Sequence, residues 1–369
     1  MNSVRMVMTR RMSRKQNHDD ASSSSSSSSK MIKTDDVDVG PWSYLNHDVL
    51  LLVLMQLGVI DFLAFSGVCK TWRLVAISNW KTFMASKSPM LLRISTRGND
   101  KDKECCLEDS QGRKFKTILP RSVGSSFIGL TCGYLIFFRE KTYDFWLVNP
   151  ITRHELHFPP VPFDCVFFGT PKFTAVLVHS PSISSMHVLI MLNIIRNEIW
   201  ISREGEEGSW NRVALLIDVK YLHAFKGKIY TLCCKAGSLK GRHICELTLN
   251  PKPKMKWLKI KNFPKQTFLF PKLISSGEKL YVMENFSVYF HNVHELDFDK
   301  MEWVRFQKTT DECGFFLSEF RHGAVVKPEL WADLQSQPEG CNFFEEEGHG
   351  KFFTTRQWYF PHECSSLSP

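Results

Sequence analysis

The most apolar stretch of the chain runs from Val49 to Leu57, where only Gln56 is polar. A helix over this stretch has no polar face, and a helix that is apolar all round is buried on every side. Asp48 is placed to accept the free N–H groups of the first turn, and Gly58 to end the helix in the left-handed conformation. The pattern therefore predicts a first helix that something else must cover.

Two shorter helices are predicted directly after the first. Asp61 is placed to cap the second, whose apolar side is narrower. The third is expected over Lys70–Ser78, and Trp72, Val75 and Ala76 share one of its faces. Together the three helices span about 36 residues, fewer than the roughly 40 that usually fold alone. The helical module therefore needs a partner or another part of the chain.

From about residue 90 onward the pattern changes to short strands separated by turns, and the chain repeats itself over residues 133–158, 225–260 and 276–306. Trp210, Trp257 and Trp303 follow one another at steps of 47 and 46 residues. A period of about 40 to 50 residues with several strands per unit is typical of a β-propeller. We expect about five or six blades, closed by pairing of the first and last strands, with these tryptophans packed between blades.

The fold class predicted is mainly β, with a small all-α module in front of a β-propeller-like repeat domain. The expected divisions are a disordered arm at 1–40, the helical module at 41–80, a linker at 81–90 and the propeller at 91–365. The arm is rich in serine and charge, so it cannot bury enough apolar surface to offset the entropy of ordering. The helical module and the propeller are expected to be separate cores.

The helical module resembles an F-box. The resemblance depends on the order Leu45, Asp48, Val49, Leu50, Val53, Leu57 and Asp61, followed by the motif VCKTWR at 68–73. Leu45-Asn46 stands where the family usually has Leu-Pro. The resemblance implies binding to a Skp-type adaptor and, through it, to a cullin ubiquitin ligase. The adaptor-binding residues that it implies are Leu45, Val49, Leu50, Val53, Leu57, Phe62, Leu63, Val68, Cys69 and Trp72.

The strand region resembles the KIB-type β-propeller of plant F-box proteins. Asn149-Pro150, the sequence Tyr-Phe-Pro at 359–361 and the repeated turns after Leu-Asp or Leu-Asn carry this resemblance, which covers residues 42–362. The Trp-Asp pairs of WD repeats and the double glycines of kelch repeats are missing. The resemblance implies a non-catalytic subunit of a Skp-cullin-F-box ubiquitin ligase, whose propeller captures a protein substrate for ubiquitylation.

Charge argues against a nucleic-acid partner. The formal net charge is +9, and residues 1–30 hold six Lys or Arg against two Asp, so the rest of the chain is only mildly basic. Nucleic-acid proteins concentrate basic charge on one face. The lysines between 252 and 265 are expected to form the solvated outer face of an edge strand. The basic opening of the arm fits a plain tail or a nuclear signal, with a mitochondrial or plastid transit peptide as the alternative.

Candidate chemistry is sparse. Eleven cysteines without a C-x-x-C pair indicate a reducing compartment, nucleus or cytoplasm, where most cysteines are small buried apolar groups. The pairs His154/His157 and His291/His294 are three residues apart, and His243 with Cys245 has no second pair, so no metal or cofactor is expected. The usual phosphate-binding, nucleophile-elbow and zinc-protease motifs are missing. No apolar run approaches the roughly 18 residues that span a membrane, so no membrane segment is expected. Two alternatives stay open: a propeller enzyme or small-ligand binder with a vestigial F-box, and an organelle-targeted propeller.

Overall fold

A computed structural model describes residues 41–96, 102–119, 121–162, 166–167, 170–171, 173–180, 186–205, 210–213, 215, 217–234, 242–249, 252–264, 271–284, 292–306, 313–318, 323–331, 341–346 and 350–366. The chain divides into two units, 1–42 and Ser43–Pro369. The predicted arm, 1–40, lies outside the described residues. The account below therefore concerns the second unit.

Four α-helices, preceded by a 3-10 turn at Pro41–Tyr44, open the described part of the chain. They are α1 (His47–Gln56), α2 (Val59–Gly67), α3 (Lys70–Ser78) and α4 (Trp80–Ala85). The third helix has the bounds that its pattern predicts. The predicted linker at 81–90 instead contains most of α4, because Trp80, Phe83 and Met84 are buried apolar side chains that have a core to fill.

The ends of the first two helices differ from the prediction. Asn46, not Asp48, is the N-cap of α1, and its side chain accepts the Asp48 N–H at 3.3 Å. Gly58 does not adopt the left-handed conformation, since its φ is −76° and it serves as the N-cap of α2. Asp61 lies inside the first turn of α2 and does not cap it. Asn46 is the cap because it lies directly before His47, the first residue of the helix, where its side-chain carbonyl oxygen reaches a free N–H of the first turn.

The strands of the described chain run in order as follows. The first thirteen are β1 (Met90–Thr96), β2 (Lys103–Glu108), β3 (Lys114–Leu119), β4 (Ser125–Thr131), β5 (Tyr134–Arg139), β6 (Asp144–Val148), β7 (Glu155–Phe158), β8 (Val166–Phe167), β9 (Thr170–Pro171), β10 (Phe173–Ser180), β11 (Met186–Asn193), β12 (Glu198–Arg203) and β13 (Asn211–Val213). The others are β14 (Asp218–Phe225), β15 (Lys228–Cys234), β16 (Arg242–Thr248), β17 (Lys254–Trp257), β18 (Pro271–Ser275), β19 (Leu280–Glu284), β20 (Val293–Asp297), β21 (Glu302–Arg305), β22 (Gly314–Ser318), β23 (Gly323–Val326), β24 (Asn342–Glu346), β25 (Gly350–Thr355) and β26 (Trp358–Tyr359). Short 3-10 turns lie at Pro328–Leu330 and Pro361–Ser366.

All the described strands except β8 and β9, which form a separate two-stranded sheet, form six propeller blades. Blade 1 has the order β26-β1-β2-β3, and blades 2, 3 and 4 are the antiparallel meanders β4–β7, β10–β13 and β14–β17. An eight-stranded sheet contains blade 5, β18–β21, and blade 6, with the order β23-β22-β25-β24. The mainly β propeller fold and a blade number of five or six are confirmed.

The ring closes through blade 1, as predicted from the need to leave no open edge. Strand β26 comes from the C-terminal part of the chain and pairs antiparallel with β1, with Met90 opposite Tyr359 and Leu91 opposite Trp358. Side-chain packing completes the ring. Separate apolar clusters join blades 2 and 3, 3 and 4, 4 and 5, and 5 and 6, while another contains residues of blades 6, 1 and 2.

Blade 6 departs from the meander of its neighbours. Strand β22 pairs with β23 antiparallel and with β25 in parallel, over five residues from Gly314↔Lys351 to Ser318↔Thr355. The parallel pairing brings two hairpins side by side, so the blade is assembled from two halves. The stacked rings of Phe316 and Phe353, with centroids 4.5 Å apart, hold the halves together on one face.

The three repeated tryptophans have different environments. Trp303 is 3% exposed and lies in the cluster between blades 4 and 5, and Trp210 packs against the cluster between blades 2 and 3. Trp257 is 39% exposed, so the prediction that it packs between blades was wrong. It lies on β17, the outermost strand of blade 4, where its ring contacts His243 at 5.0 Å between centroids.

The lysine-rich segment around Trp257 is a solvated edge, as expected. Strand β17 carries Lys254 and Lys256, both exposed, at the outer edge of blade 4. Lys252, Lys259 and Lys261 beside it are exposed as well. Exposed lysines on an edge strand discourage pairing with another chain.

Replacing Trp303 by alanine should destabilise the propeller by about 3–5 kcal/mol, because it leaves a cavity between two blades. Trp257→Ala is the matched control, since it removes the same side chain from an exposed edge, and it should cost less than about 1 kcal/mol. Urea unfolding followed by far-UV circular dichroism measures both midpoints. Equal shifts for the two variants would contradict the packing described here.

Candidate functional site

Helix α1 is apolar on both faces, and the chain covers only one of them. Leu50 and Leu54 are fully buried, whereas Val49, Leu52 and Val53 are 43%, 68% and 38% exposed. The exposed residues lie at positions i, i+3 and i+4, so they form one stripe along the helix. The helix therefore buries one apolar stripe and presents a second one to solvent.

Helix α3 also has exposed apolar residues. It packs against α1, and its Val75 and Ala76 are buried while Leu74 and Ile77 are 67% and 48% exposed. Val68, just before α3, is 54% exposed. We call Val49, Leu52, Val53, Val68, Leu74 and Ile77 the apolar helix surface. Exposed apolar residues concentrated in one small helical module mark an interaction site more often than single scattered ones do.

The motif VCKTWR fixes α3 against α2. The ring of Trp72 packs on Phe65 with centroids 4.5 Å apart. The Nε of Arg73 donates to the carbonyl oxygen of Ser66 at 3.2 Å, in the last turn of α2. The motif thus packs and ties the two helices, and so sets the direction in which α3 presents its exposed residues.

The buried side of the helices belongs to the same core as the propeller. Leu50, Leu54 and Phe62 lie in one cluster with Leu107 of blade 1 and Leu135 of blade 2, and residues of blade 6 belong to it too. Helix α4 joins the helices together, because its Trp80 and Phe83 rings contact the ring of Phe62 at 4.9 and 4.8 Å. The expectation of separate cores was therefore wrong. The reason is that α4 supplies apolar side chains where a linker was expected.

Polar contacts at the rim of this core fix the helices further. Arg113, in the turn after β2, donates to Asp61 of α2 at 2.9 Å and to Asp109 at 2.8 Å. Gly58 lies so close that an added Cβ would stand 2.1 Å from the Arg113 Nη2 atom. The Nζ of Lys87 donates to the carbonyl oxygen of Met55 near the end of α1 at 2.8 Å. Burial, and then the charge of Arg113, lower the pKa of Lys87.

The ten residues implied by the F-box resemblance fall into three groups. Leu50 and Phe62 are buried in the core of the chain itself, where they support the helices. Leu45, Leu57, Leu63 and Trp72 are half-buried against that core, and Cys69 is half-buried too. Val49, Val53 and Val68 are exposed and belong to the apolar helix surface.

Leu52, Leu74 and Ile77 were not among the candidates, although they are exposed. Leu52 could have been found from its spacing, since it shares a helical face with Val49 and Val53. In an all-apolar helix, however, polar residues do not mark the exposed face, so the sequence does not indicate which face is buried. Leu74 and Ile77 carry a clearer signal, because they lie off the face formed by Val75 and Ala76.

Histidine contacts occur at the blade 2 and blade 3 junction. His154 Nδ1 lies 2.7 Å from the Tyr134 hydroxyl, and His187 Nδ1 lies 2.6 Å from Glu204 Oε2. Burial, and then the nearby His187, lower the pKa of His179. His291 lies outside the described residues. Within the described part of the chain, no three or more His, Cys, Asp or Glu are arranged to hold a metal ion, and no helix has the length and apolarity to cross a bilayer.

A helical module attached to a closed six-bladed propeller, with an exposed apolar surface on the module, defines the class of F-box proteins that carry a β-propeller. The family model of the F-box domain matches residues 42–83, and that of the KIB1-4 beta-propeller matches residues 106–329. The second match covers more than half of the chain. The chain belongs to the KIB1-4 beta-propeller family and carries an F-box.

Relatives among characterised sequences are F-box proteins of Arabidopsis thaliana. The Probable F-box protein At4g22060 is 27% identical over 128 residues, which cover 34% of this chain and 30% of the relative. F-box protein At1g10110 is 26% identical over 136 residues, covering 35% of this chain and 30% of the relative. The chain therefore matches about a third of the length of these relatives.

Solved structures resemble the chain only distantly. The complex of the fission yeast SREBP-SCAP binding domains gives a TM-score of 0.35 at 14% identity, covering 62% of this chain and 64% of that one. A Mycobacterium tuberculosis puromycin-hydrolyzing peptidase gives 0.32 at 11% identity, covering 67% and 44%. Likeness at this level carries no argument about the chain.

Leu50→Asp and Leu52→Asp test the shared core, because they make the same change on opposite faces of α1. Leu50→Asp places an unpaired charge in the core and should cost several kcal/mol. Because that core includes blades 1, 2 and 6, the β signal in circular dichroism should melt at a lower temperature. Leu52→Asp should stay within about 0.5 kcal/mol of the wild type. A Leu50→Asp protein whose β structure melts normally would show separate cores.

Proposed function

We propose that the chain is the substrate-recognition subunit of a ubiquitin ligase. In this proposal the apolar helix surface binds a Skp-type adaptor, which connects the chain to a cullin, and the propeller binds a protein substrate. The chain itself performs no bond-breaking chemistry. Its contribution is to hold the substrate near the ubiquitin-charged enzyme, which raises the effective concentration of substrate lysines.

The observation that carries this proposal is the exposed apolar stripe of α1 inside the F-box. A helix that served only to pack against the propeller would need polar residues on its other face to be compatible with solvent. Val49, Leu52 and Val53 occupy that face instead. Covering them with an apolar partner would remove this surface from water, at roughly 25 cal/mol for each Å² buried.

The attachment of the helices supports a fixed distance between the adaptor and the propeller. One apolar cluster holds the helices on blades 1, 2 and 6, and Arg113 bridges α2 to the turn after β2. A rigid attachment holds a bound substrate in a narrow range of positions relative to the ligase, so less orientational freedom is lost at the transfer step. We place this activity in the nucleus or the cytoplasm.

The double variant Leu52→Asp/Val53→Asp tests the adaptor contact. It introduces charge on the exposed stripe without touching the buried one, so the fold should be kept while an apolar partner would have to bury unpaired charges. That desolvation costs several kcal/mol. We therefore expect at least a roughly hundredfold loss of affinity for a Skp-type adaptor, measured by titration calorimetry with the purified chain.

Ile195→Asp is the matched control for this experiment. Ile195 is a 52% exposed apolar residue in the turn between β11 and β12 of blade 3, away from the helices. This variant should bind the adaptor like the wild type. Wild-type affinity of the double variant, or an equal loss in Ile195→Asp, would refute the assignment of the adaptor contact to the apolar helix surface.

A further inference from the structure

Two thiols lie side by side in blade 4. In the register of β15 and β16, Cys233 stands opposite His243 and Cys245 stands opposite Thr231, so the two cysteines are diagonal neighbours across the strand pair. Their Sγ atoms are 2.8 Å apart. A disulfide bond is about 2.05 Å long, so a small rotation of the two side chains would bring the sulfurs to bonding distance.

Both sulfurs lie in the apolar cluster between blades 3 and 4. Cys233 is 1% exposed and Cys245 is fully buried. Burial alone favours the neutral thiol, and it raises the pKa of the buried Cys341 to about 11. Cys245 behaves differently: the hydrogen bond with Cys233, assisted by Thr231, lowers its pKa in spite of burial. Since the thiolate is the nucleophile, this lowered pKa favours a reactive sulfur within the pair, and we assign the first attack to Cys245.

We propose that Cys233 and Cys245 form a reversible disulfide when the protein meets a small hydroperoxide, such as hydrogen peroxide. The burial of both sulfurs selects for a small oxidant. Larger disulfide reagents, such as oxidised glutathione, would need to place a tripeptide inside the cluster between two blades. The structure thus assigns an oxidative modification site to blade 4, independent of the proposed ligase function.

The reaction balances with hydrogen peroxide as the only oxidant. The Cys245 thiolate attacks one peroxide oxygen, the O–O bond breaks, and Cys245 becomes a sulfenic acid while the other oxygen leaves as water after taking up a proton. The Cys233 sulfur then attacks the Cys245 sulfur, its proton is lost, and hydroxide leaves and is protonated to a second water. Two thiols lose two electrons in total, and the peroxide gains them. A dithiol reductant reverses the bond by exchange.

The bond would tie the second and third strands of blade 4 within the core that blades 3 and 4 share. A disulfide stabilises a fold mainly by restricting the unfolded chain, here the segment 233–245. The sulfurs already lie close together, but diagonal neighbours on paired strands usually stand farther apart than most disulfides allow, so the two strands must move slightly closer as the bond forms. The oxidised protein should therefore unfold at a temperature about 2–4 °C higher than the reduced protein.

Peptide mapping of the folded full chain after hydrogen peroxide treatment tests the proposal. Remaining thiols are blocked, the protein is digested with trypsin without reductant, and we expect peptide 229–235 linked to peptide 243–254. Dithiothreitol should release the link. Oxidised glutathione is the matched bulky oxidant and should give no link in the folded protein. Absence of the link with peroxide, or equal linking by glutathione, would overturn the proposal.

Cys234→Ala is the matched control, since Cys234 lies in the same tryptic peptide but stands opposite Arg242 in the strand register. This variant should keep both the link and the rise in unfolding temperature. Cys233→Ala and Cys245→Ala should lose both. A link that survives in Cys233→Ala would show that Cys234 is the reacting residue, and the pair assigned here would be wrong. The mapping of the wild type does not depend on any variant.

Discussion

The pairing of β26 with β1 is the interaction on which the rest of the structure depends. It consists of only two residue pairs, but the side chains around it, Trp358, Tyr359 and Phe360, are all buried. Trp358 contacts the ring of Phe316 in blade 6 at 5.0 Å, and the same cluster contains the buried residues of the helices. Closure of the ring and attachment of the helices therefore depend on the same apolar core.

This shared core explains why the two faces of α1 have different roles. Leu50 and Leu54 stabilise the junction, whereas Leu52 and its neighbours Val49 and Val53 are the most exposed apolar residues of α1. The Arg113 bridge and the Lys87 contact add little stability by themselves, since both lie partly in solvent. These contacts orient the helices, because each joins a helix to a residue in another part of the chain.

The sequence predicted the features that depend on local pattern or on period. The bounds of α3, the six-bladed ring within the expected range, and its closure all follow from helical spacing and from repeats of about 46 residues. The buried face of α1 could not be predicted from the sequence. Leu50 and Leu52 are both leucines in an all-apolar run, so the pattern of polar and apolar residues does not distinguish the buried one from the exposed one. Trp257 and Trp303 share both the period and a place on the outermost strand of a blade, yet only Trp303 is buried, because burial depends on what the neighbouring blade places against the ring. The strand order of blade 6 could not be predicted from the sequence, because its parallel pairing joins strands that are distant along the chain.

The described clusters differ in whether they contain helix residues. The cluster that contains residues of blades 1, 2 and 6 includes the helices, whereas the four clusters between blades 2 and 3, 3 and 4, 4 and 5, and 5 and 6 contain no helix residue among those described. Cys233 and Cys245 lie in the cluster between blades 3 and 4. A disulfide there would restrain blade 4 without altering the packing of Leu50 or the direction of the apolar helix surface. Because side-chain packing transmits strain through atoms in contact, the proposed adaptor contact and the proposed oxidation of blade 4 depend on different parts of the core.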